Sequence, residues 1–203
     1  MFIYFLIGFF YSFIGKIKIN LSSVLQGILI SIIVCFAVNP ISCKITETGI
    51  DVISGDYVPP VLQKVEVIDE KIIQLLDDMA DTMYEADGVG LAAPQVGISQ
   101  RFFVCMADDD VKRVFINPQI IETSSELGEY EEGCLSIPKL YEKITRPVEV
   151  TVQALNEKGK PFTLKADGLL ARIIQHEYDH LDGILYIDRG DPDFKAKAEE
   201  TMK

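Results

Sequence analysis

The amino-acid sequence predicts an α+β fold, with antiparallel strands packed around one buried helix. A first helix is predicted from Asp69, its N-cap, to about Ala86, because apolar residues recur there at helical spacing. A second helix is predicted over residues 168–181, where leucine and isoleucine are frequent enough for a buried helix. Runs of strand-forming residues between the two helices supply the sheet.

Each element has its own local signal. The apolar face of the first helix consists of Ile72, Leu76, Met79 and Met83. Strands are predicted at residues 102–106, 114–121, 149–155 and 162–166. The last two form a hairpin, since the Asn-Glu-Lys-Gly string at residues 156–159 is typical of a turn. After the second helix we expect a short strand at residues 184–187. A short charged helix then begins at Pro192, with Asp191 as its cap.

The two histidines of the chain lie four residues apart in the second helix, as His176 and His180 in the string QHEYDHLDG. Helix positions i and i+4 share one face, so two imidazoles placed there can hold one metal ion. Glu177, between them, can act on a water bound to that ion. Two partly buried histidines with ordinary hydrogen bonds would have the same spacing, so the pattern alone leaves both interpretations open.

A catalytic metal site needs a third protein ligand and an open coordination position. The chain has no third histidine, which leaves an acidic residue or one of its four cysteines. Cys105 lies in an apolar strand-like run and is predicted to be a buried core thiol. Cys35 and Cys43 belong to a separate apolar segment near the N-terminus. We therefore choose Cys134, in the string EEGCLSIP, although a small buried hydrophobic side chain would fit the same pattern.

The string GVGLAAPQVG, residues 88–97, is poor in charge and follows the first helix. Gly88 and Gly90 allow the backbone to approach another group closely. Gln95 offers an amide N–H from an otherwise apolar loop. That amide either braces the loop with a hydrogen bond or stabilises an oxyanion during a reaction, and the string alone favours bracing.

Together, GVGLAAPQVG, EGCLSIP and QHEYDHLDG, in this order, resemble the three motifs of peptide deformylase. The resemblance runs from about Val61 to about Arg189. It implies a deformylase-like fold and removal of the formyl group from the N-terminal formyl-methionine of new polypeptides. It also implies one divalent metal ion, Fe²⁺ first, with Zn²⁺, Ni²⁺ or Co²⁺ as other occupants. N-formylmethionyl nascent peptides are the implied partner, and the ribosome is a second candidate.

The resemblance implies a role for each motif residue. The implied metal ligands are Cys134, His176 and His180, and the implied general acid and base is Glu177. The implied oxyanion hole consists of Gln95 and the backbone N–H of Leu135. The implied borders of the peptide-binding groove are Val89, Gly90, Glu132 and Gly133.

The residue types suit metal-assisted amide hydrolysis independently of the resemblance. A thiolate and two neutral imidazoles leave a divalent ion with a free position, where the pKa of a bound water is lowered. A neighbouring carboxylate can take that proton and return it to the leaving amine. One departure from some deformylases is the string Lys139-Leu140-Tyr141, where those enzymes place an arginine. How the substrate backbone is held at that point stays open.

The charge balance argues against general nucleic-acid binding. The chain has a formal net charge of −12, and its first 43 residues hold two lysines and no acid. The remaining residues therefore carry 17 basic and 31 acidic side chains. Because such an acidic domain repels nucleic acid, no direct nucleic-acid binding is expected. The acid excess is assigned to a solvated surface.

Two segments are predicted: an apolar N-terminal extension at residues 1–45 and a catalytic domain at residues 46–203. Residues 19–43 are uncharged and long enough to span a bilayer. The extension is a membrane anchor, a signal peptide with Cys43 as a lipidation site, or upstream translation that the working protein lacks. With Lys16 and Lys18 in the cytoplasm, a single span would export the domain, away from nascent chains. This conflict favours the third interpretation and a cytoplasmic enzyme.

Two other classes of function stay open from the sequence. One is a membrane-associated metallopeptidase that uses the same three ligands. The other is a non-catalytic sensor of metal or thiol state. Activity on a formyl-methionyl peptide, compared with the unblocked peptide of the same sequence, separates a deformylase from both.

Overall fold

The computed structural model describes residues 43–46, 49–52 and 62–201. Residues 1–42, which include Lys16, Lys18 and all but the last residue of the predicted membrane segment, lie outside these ranges. Within them, no helix has the length and apolar character needed to cross a bilayer. Strands β1 (Cys43–Thr46) and β2 (Gly49–Val52) pair in an antiparallel two-stranded sheet.

Helix α1 spans Glu70–Glu85, in agreement with the prediction. The Asp69 carboxylate caps it by accepting hydrogen bonds from the backbone N–H groups of Lys71 and Ile72, at 3.1 and 3.0 Å. The inward face of α1 is buried through Leu76, Met79 and Met83. The C-terminal end of α1 leads directly into the GVGLAAPQVG string, so the helix positions the first of the three motifs.

Five antiparallel strands form the main sheet, in the order β3–β4–β5–β8–β9. They are β3 (Gly90–Ala92), β4 (Phe102–Met106), β5 (Lys112–Thr123), β8 (Glu149–Leu155) and β9 (Pro161–Asp167). The predicted bounds of β4 and β8 are confirmed, and β5 and β9 are slightly longer than predicted. Strand β3 was not predicted, because three residues in a string of small side chains show no alternation.

A separate hairpin consists of β6 (Leu127–Cys134) and β7 (Ile137–Pro147). It was not predicted either, because glycines and acidic residues in β6 and charged residues in β7 interrupt the alternation of apolar residues. The register shifts after Gly133, so that Cys134 pairs with Ile137 across a short turn. A bulge of this kind bends the strand and redirects the side chain that follows it, here the side chain of Cys134.

Helix α2 spans Gly168–Leu181, as predicted, and lies between the main sheet and the hairpin. Its apolar side packs against the main sheet, chiefly against β3 and β4, through Ala171, Ile173, Ile174 and Leu181. Near the C-terminus, helix α3 spans Pro192–Thr201. The Asp191 carboxylate accepts a hydrogen bond from the backbone N–H of Asp193, which confirms Asp191 as the cap of this helix.

The strand predicted at residues 184–187 is wrong. Tyr186–Asp188 form a single turn of 3₁₀ helix instead. Tyr186 and Ile187 are both buried, whereas consecutive residues of a strand would point to opposite faces. They pack together in a small core against two isoleucines of β7, and this burial overrides the local preference of the apolar run for a strand.

Candidate metal centre and active site

Cys134, His176 and His180 come together where the β6–β7 hairpin meets α2. Their ligand atoms all lie within 4.8 Å of one another. The Cys134 sulfur is 3.3 Å from Nε2 of His180. The two imidazole rings are 5.0 Å apart between centroids, as expected for residues one helical turn apart. The three donors therefore converge on one point, as the ligands of a single metal ion do.

The chemistry of these donors fits a divalent metal ion. Burial opposes ionisation of the Cys134 thiol, but the neighbouring His180 and His176 outweigh it and hold the pKa of this thiol well below its usual range. A thiolate with two imidazoles suits zinc, iron and related divalent ions. Three protein ligands leave one coordination position for water or substrate, which is typical of a catalytic metal site.

Glu132 fixes the orientation of His176. Its carboxylate lies 2.9 Å from Nδ1 of His176, which leaves Nε2 of that ring as the ligand atom. Burial would raise the pKa of Glu132, but hydrogen bonds with His176 and Arg146 lower it to about 2. The side chain is only 5% exposed. The side chain of Glu132 therefore points inward, and its place at the border of the peptide groove stays a prediction about its backbone.

A network of buried charges extends from Glu132 to the C-terminal segment. Arg146 donates two hydrogen bonds to Glu132, at 2.7 and 2.9 Å, and one to Asp179 at 2.6 Å. Arg172 donates to Glu132 at 3.0 Å. Arg189, which follows the 3₁₀ turn, forms two hydrogen bonds with Asp179. Glu132, which orients the ligand His176, is thus held in place by two arginines.

Glu177 is a buried carboxyl group beside the candidate ligands. It is 4% exposed, and its Oε2 atom has no hydrogen-bond partner among the described residues. Burial raises its pKa to about 7, against the opposing influence of His176 and His180. A Cβ atom at Gly90 would lie 2.2 Å from Oε1 of Glu177, so only glycine leaves room for this carboxyl group. A carboxyl with a pKa near neutrality suits proton transfer.

Gln95 lies in a short 3₁₀ helix, Ala93–Val96, and its amide faces the candidate metal centre. Its Oε1 accepts a hydrogen bond from the backbone N–H of Ala92 at 2.7 Å. Its Nε2 lies 3.1 Å from Oγ of Ser136 and 3.7 Å from the sulfur of Cys134. The same side chain therefore braces its own loop and presents N–H groups to the site.

The other predicted groove residues surround this centre. The Leu135 side chain is partly buried against the core beside α1, close to Gly88, where a Cβ would lie 2.8 Å from it. Val89 is exposed, and Gly90 is buried under it next to Glu177. A Cβ at Gly133 would lie 2.6 Å from the ring of Tyr141, which is itself exposed.

The two cysteines of the described part of the catalytic domain differ sharply. Cys105 is fully buried in β4, and burial raises the pKa of its thiol to about 12. The prediction that Cys105 is a core thiol is confirmed. Cys134 is partly exposed and adjacent to both histidines.

Sequence reasoning missed the residues that hold the site in place, namely Ser136, Arg146, Arg172, Asp179 and Arg189. A signal for two of them was present in the sequence. Arg172 and Asp179 are four residues before and three residues after His176 in a helix that is otherwise rich in apolar residues. They therefore share a face with the histidine, and charged groups on the same face of a buried helix require partners.

Comparisons with known proteins agree with this site. The family model described as polypeptide deformylase matches residues 56–196. A peptide deformylase from Natranaerobius thermophilus is 51% identical over 135 residues, which cover 66% of this chain and 86% of that protein. One from Fusobacterium nucleatum is 48% identical over 151 residues, covering 73% of this chain and 84% of that protein.

A solved structure is similar as well. The crystal structure of a peptide deformylase from Legionella pneumophila superposes with a TM-score of 0.66 at 43% sequence identity. The match covers 70% of this chain and 85% of the Legionella chain. The chain therefore belongs to the polypeptide deformylase family, the metal-dependent hydrolases that remove the N-terminal formyl group from nascent polypeptides.

Proposed function

We propose that this chain performs its deformylation at a single divalent ion held by Cys134, His176 and His180, with Glu177 as the group that transfers protons. One observation supports this most strongly. Three donor atoms within 4.8 Å of one another lie beside a buried carboxyl group whose Oε2 has no partner among the described residues. An unpartnered buried carboxyl is costly to the fold, which is expected of a group kept for a reaction.

The roles of the residues follow from where they lie. Cys134, His176 and His180 would hold the ion, which would supply a Lewis acid and lower the pKa of a water bound to it. Glu177 accepts the proton of the attacking water and delivers it to the nitrogen of methionine as the formyl group leaves. Its burial keeps its pKa at about 7, so it can accept and return a proton near neutral pH.

Gln95 and the backbone N–H of Leu135 are proposed as the donors that stabilise the oxyanion. The amide nitrogen of Gln95 is close to the sulfur of Cys134, at 3.7 Å, so its N–H groups lie next to the reacting centre. Leu135 directly follows Cys134 in the turn between β6 and β7. Donors fixed in advance around developing negative charge are usually a large contribution to catalysis.

The substrate groove is proposed to run past Val89, Gly90 and Gly133, with Glu132 contributing its backbone only. The absence of a side chain at Gly90 leaves room for the Glu177 carboxyl group, and its absence at Gly133 leaves room for the ring of Tyr141. Both groups crowd the groove, which suits a formyl group because it is the smallest acyl group. The exposed ring of Tyr141 covers Gly133. We propose that this ring contacts the substrate backbone.

The resident metal is proposed to be Fe²⁺, with Zn²⁺, Ni²⁺ or Co²⁺ able to replace it, because the thiolate and imidazole donors suit all four. Iron and a thiolate in an open site are both sensitive to oxygen. The iron-loaded protein should therefore lose activity in air, while a nickel- or cobalt-loaded protein keeps it. Metal analysis of protein purified without oxygen, alongside timed assays in air, tests this assignment.

The substrates are proposed to be N-formylmethionyl chains as they leave the ribosome, and the working protein is proposed to be cytoplasmic. Docking to the ribosome itself is a further proposal. A membrane anchor through residues 1–43 remains the alternative. The N-terminal residue of the protein isolated from its source, and the cell fraction that contains it, distinguish these two arrangements.

The decisive assay compares formyl-Met-Ala-Ser, acetyl-Met-Ala-Ser and the unblocked peptide. We expect formate from the first peptide and no cleavage of the other two. Glu177→Gln should keep its metal and lose about 10²-fold or more in kcat. Amino acids released from the unblocked peptide would indicate a metallopeptidase instead. Metal binding without any hydrolysis would indicate a sensor.

A further inference from the structure

We propose that Ser136 is a positioning residue that orients the amide of Gln95 toward the reacting centre. This inference rests on the oxyanion role proposed above for Gln95. Ser136 lies two residues after Cys134, in the turn between β6 and β7, and belongs to the EGCLSIP string. It contacts both the candidate thiolate and the candidate oxyanion donor.

The orientation of the Gln95 amide is determined by its hydrogen bond with the backbone of Ala92. The backbone N–H of Ala92 can only donate a hydrogen bond, so the Gln95 atom that lies 2.7 Å from it must be the oxygen. The opposite end of the amide, which faces Ser136 and Cys134, is therefore the NH₂ group. Ser136 Oγ accepts from this group at 3.1 Å.

This arrangement divides the two hydrogens of the amide between two tasks. The hydroxyl of Ser136 takes one of them, because Nε2 and Oγ are at ordinary hydrogen-bond distance. The Cys134 sulfur lies at 3.7 Å from Nε2, which places the second hydrogen on the side of the metal ligands. With both ends of the amide held, rotation about its last side-chain bond is restricted. The second hydrogen then points where the oxyanion develops.

The contact of Ser136 with the sulfur is of a different kind. It is made by the backbone N–H, 3.4 Å from Sγ of Cys134, and does not involve the hydroxyl group. Substitution of the side chain by alanine therefore removes the contact with Gln95 and keeps the contact with the ligand. This separation allows a test in which the effect on Gln95 is distinguished from an effect on the metal.

The test is a double-mutant cycle between Ser136→Ala and Gln95→Leu, with kcat and KM measured on formyl-Met-Ala-Ser. Ser136→Ala should lower kcat about 3- to 10-fold, the value of one neutral hydrogen bond, and leave KM unchanged. Gln95→Leu should lower kcat about 10²-fold. When Gln95 is already leucine, Ser136→Ala should cost less than about twofold, because it has no amide left to orient. Ser136→Thr, which keeps a hydroxyl, should restore most of the kcat.

Ser124→Ala is the matched control. Ser124 is also a half-buried serine whose hydroxyl makes two hydrogen bonds, with Glu126 and Glu149, but it lies in the connection between β5 and β6. Ser124→Ala should change kcat by less than about twofold, both in the wild-type protein and in Gln95→Leu.

Two further measurements do not depend on activity. The dissociation constant for Zn²⁺ should be the same in Ser136→Ala and wild type, since the three ligands and the backbone N–H remain. In amide NMR spectra, the side-chain NH₂ signals of Gln95, assigned by their loss in Gln95→Leu, should move toward the positions of solvated glutamines in Ser136→Ala.

The outcomes are distinct. The positioning role would be overturned if Ser136→Ala lowered kcat by the same factor in the wild-type protein and in Gln95→Leu. It would also be overturned if Ser136→Ala weakened Zn²⁺ binding. Either result would leave the proposed function intact. A near-normal kcat in Gln95→Leu would reject the oxyanion role of Gln95 and, with it, the inference about Ser136. No activity of wild type on the formyl peptide would reject the proposed function itself.

Discussion

The two sides of helix α2 are stabilised by different physical means. The side that faces the main sheet is apolar and packs through Ala171, Ile173, Ile174 and Leu181. The side that faces the β6–β7 hairpin is polar and carries Arg172, Gln175, His176, Asp179 and His180. Buried arginines and carboxylates connect this second side to the hairpin. One helix therefore lies between an apolar core and a core of paired charges.

The difference separates the stability of the helix from the geometry of the site. Apolar burial depends on area and has little directionality, so the sheet side holds α2 in place without specifying ring orientations. Charged hydrogen bonds are directional, and the hairpin side uses them to orient Glu132 and, through it, His176. Damage on the sheet side should lower stability, and damage on the hairpin side should also weaken metal binding.

The largest expected difference in metal binding is between the alanine substitutions of two cysteines, Cys134 in the β6–β7 hairpin and Cys105 in the main sheet. Cys134→Ala removes one of three ligands, so the protein should purify with little metal, bind Zn²⁺ more than about 10²-fold more weakly and lose its activity. Cys105→Ala removes a fully buried thiol of the sheet and should lower the free energy of unfolding by about 1 kcal/mol while the metal content stays normal. Metal analysis and chelator competition measure both. Full metal occupancy in Cys134→Ala would remove Cys134 from the site.

A second pair of substitutions, one on each side of α2, should lower the free energy of unfolding by similar amounts. Arg146→Met leaves Glu132 and Asp179 with one arginine fewer, and breaking such a buried pair costs about 3–5 kcal/mol of unfolding free energy. Ile174→Ala opens a cavity on the sheet side and costs about 2–5 kcal/mol. Only Arg146→Met should also weaken Zn²⁺ binding, by about 10- to 100-fold. Equal losses of Zn²⁺ affinity in the two folded variants would mean that both sides of α2 determine the geometry of the metal site.

Glu177 lies where the two sides of α2 meet. It is next to the candidate ligands His176 and His180, and its carboxyl group also contacts Gly90 in β3 of the main sheet. Gly90→Ala places a methyl group 2.2 Å from the original position of Oε1 and must displace the carboxyl group. We expect kcat to fall about 10²-fold with metal content unchanged. Gly128→Ala in β6, where the new methyl would meet only the side chain of Val148, should keep its kcat. A normal kcat in Gly90→Ala would mean that Glu177 works from another position.

The apolar region is the part of the fold that could be predicted from sequence. Helix α2 and strands β4 and β8 were predicted with their observed bounds, because apolar residues mark each of them along the chain. These residues recur at helical spacing in α2, alternate in β8 and form a continuous run in β4. The candidate ligands were likewise recognisable from two short strings. The hairpin was not predicted, since its Glu132 and Arg146 point inward through charged pairs with each other and with residues of α2. Such pairing joins residues far apart in sequence, so local periodicity does not record it.

The smallest expected effect tests whether a local loss of stability in α1, which packs against the apolar core, changes the active site. Asp69→Ala removes the side chain that caps α1 through the N–H groups of Lys71 and Ile72. It should lower the free energy of unfolding by about 1 kcal/mol, as typical for an N-cap, measured by denaturant titration. Because the cap lies at the end of α1 opposite the GVGLAAPQVG string, kcat and Zn²⁺ affinity should not change. A fall in kcat in the folded variant would mean that fraying of α1 reaches Gly88 and Gly90, and that the two regions are less independent than their packing indicates.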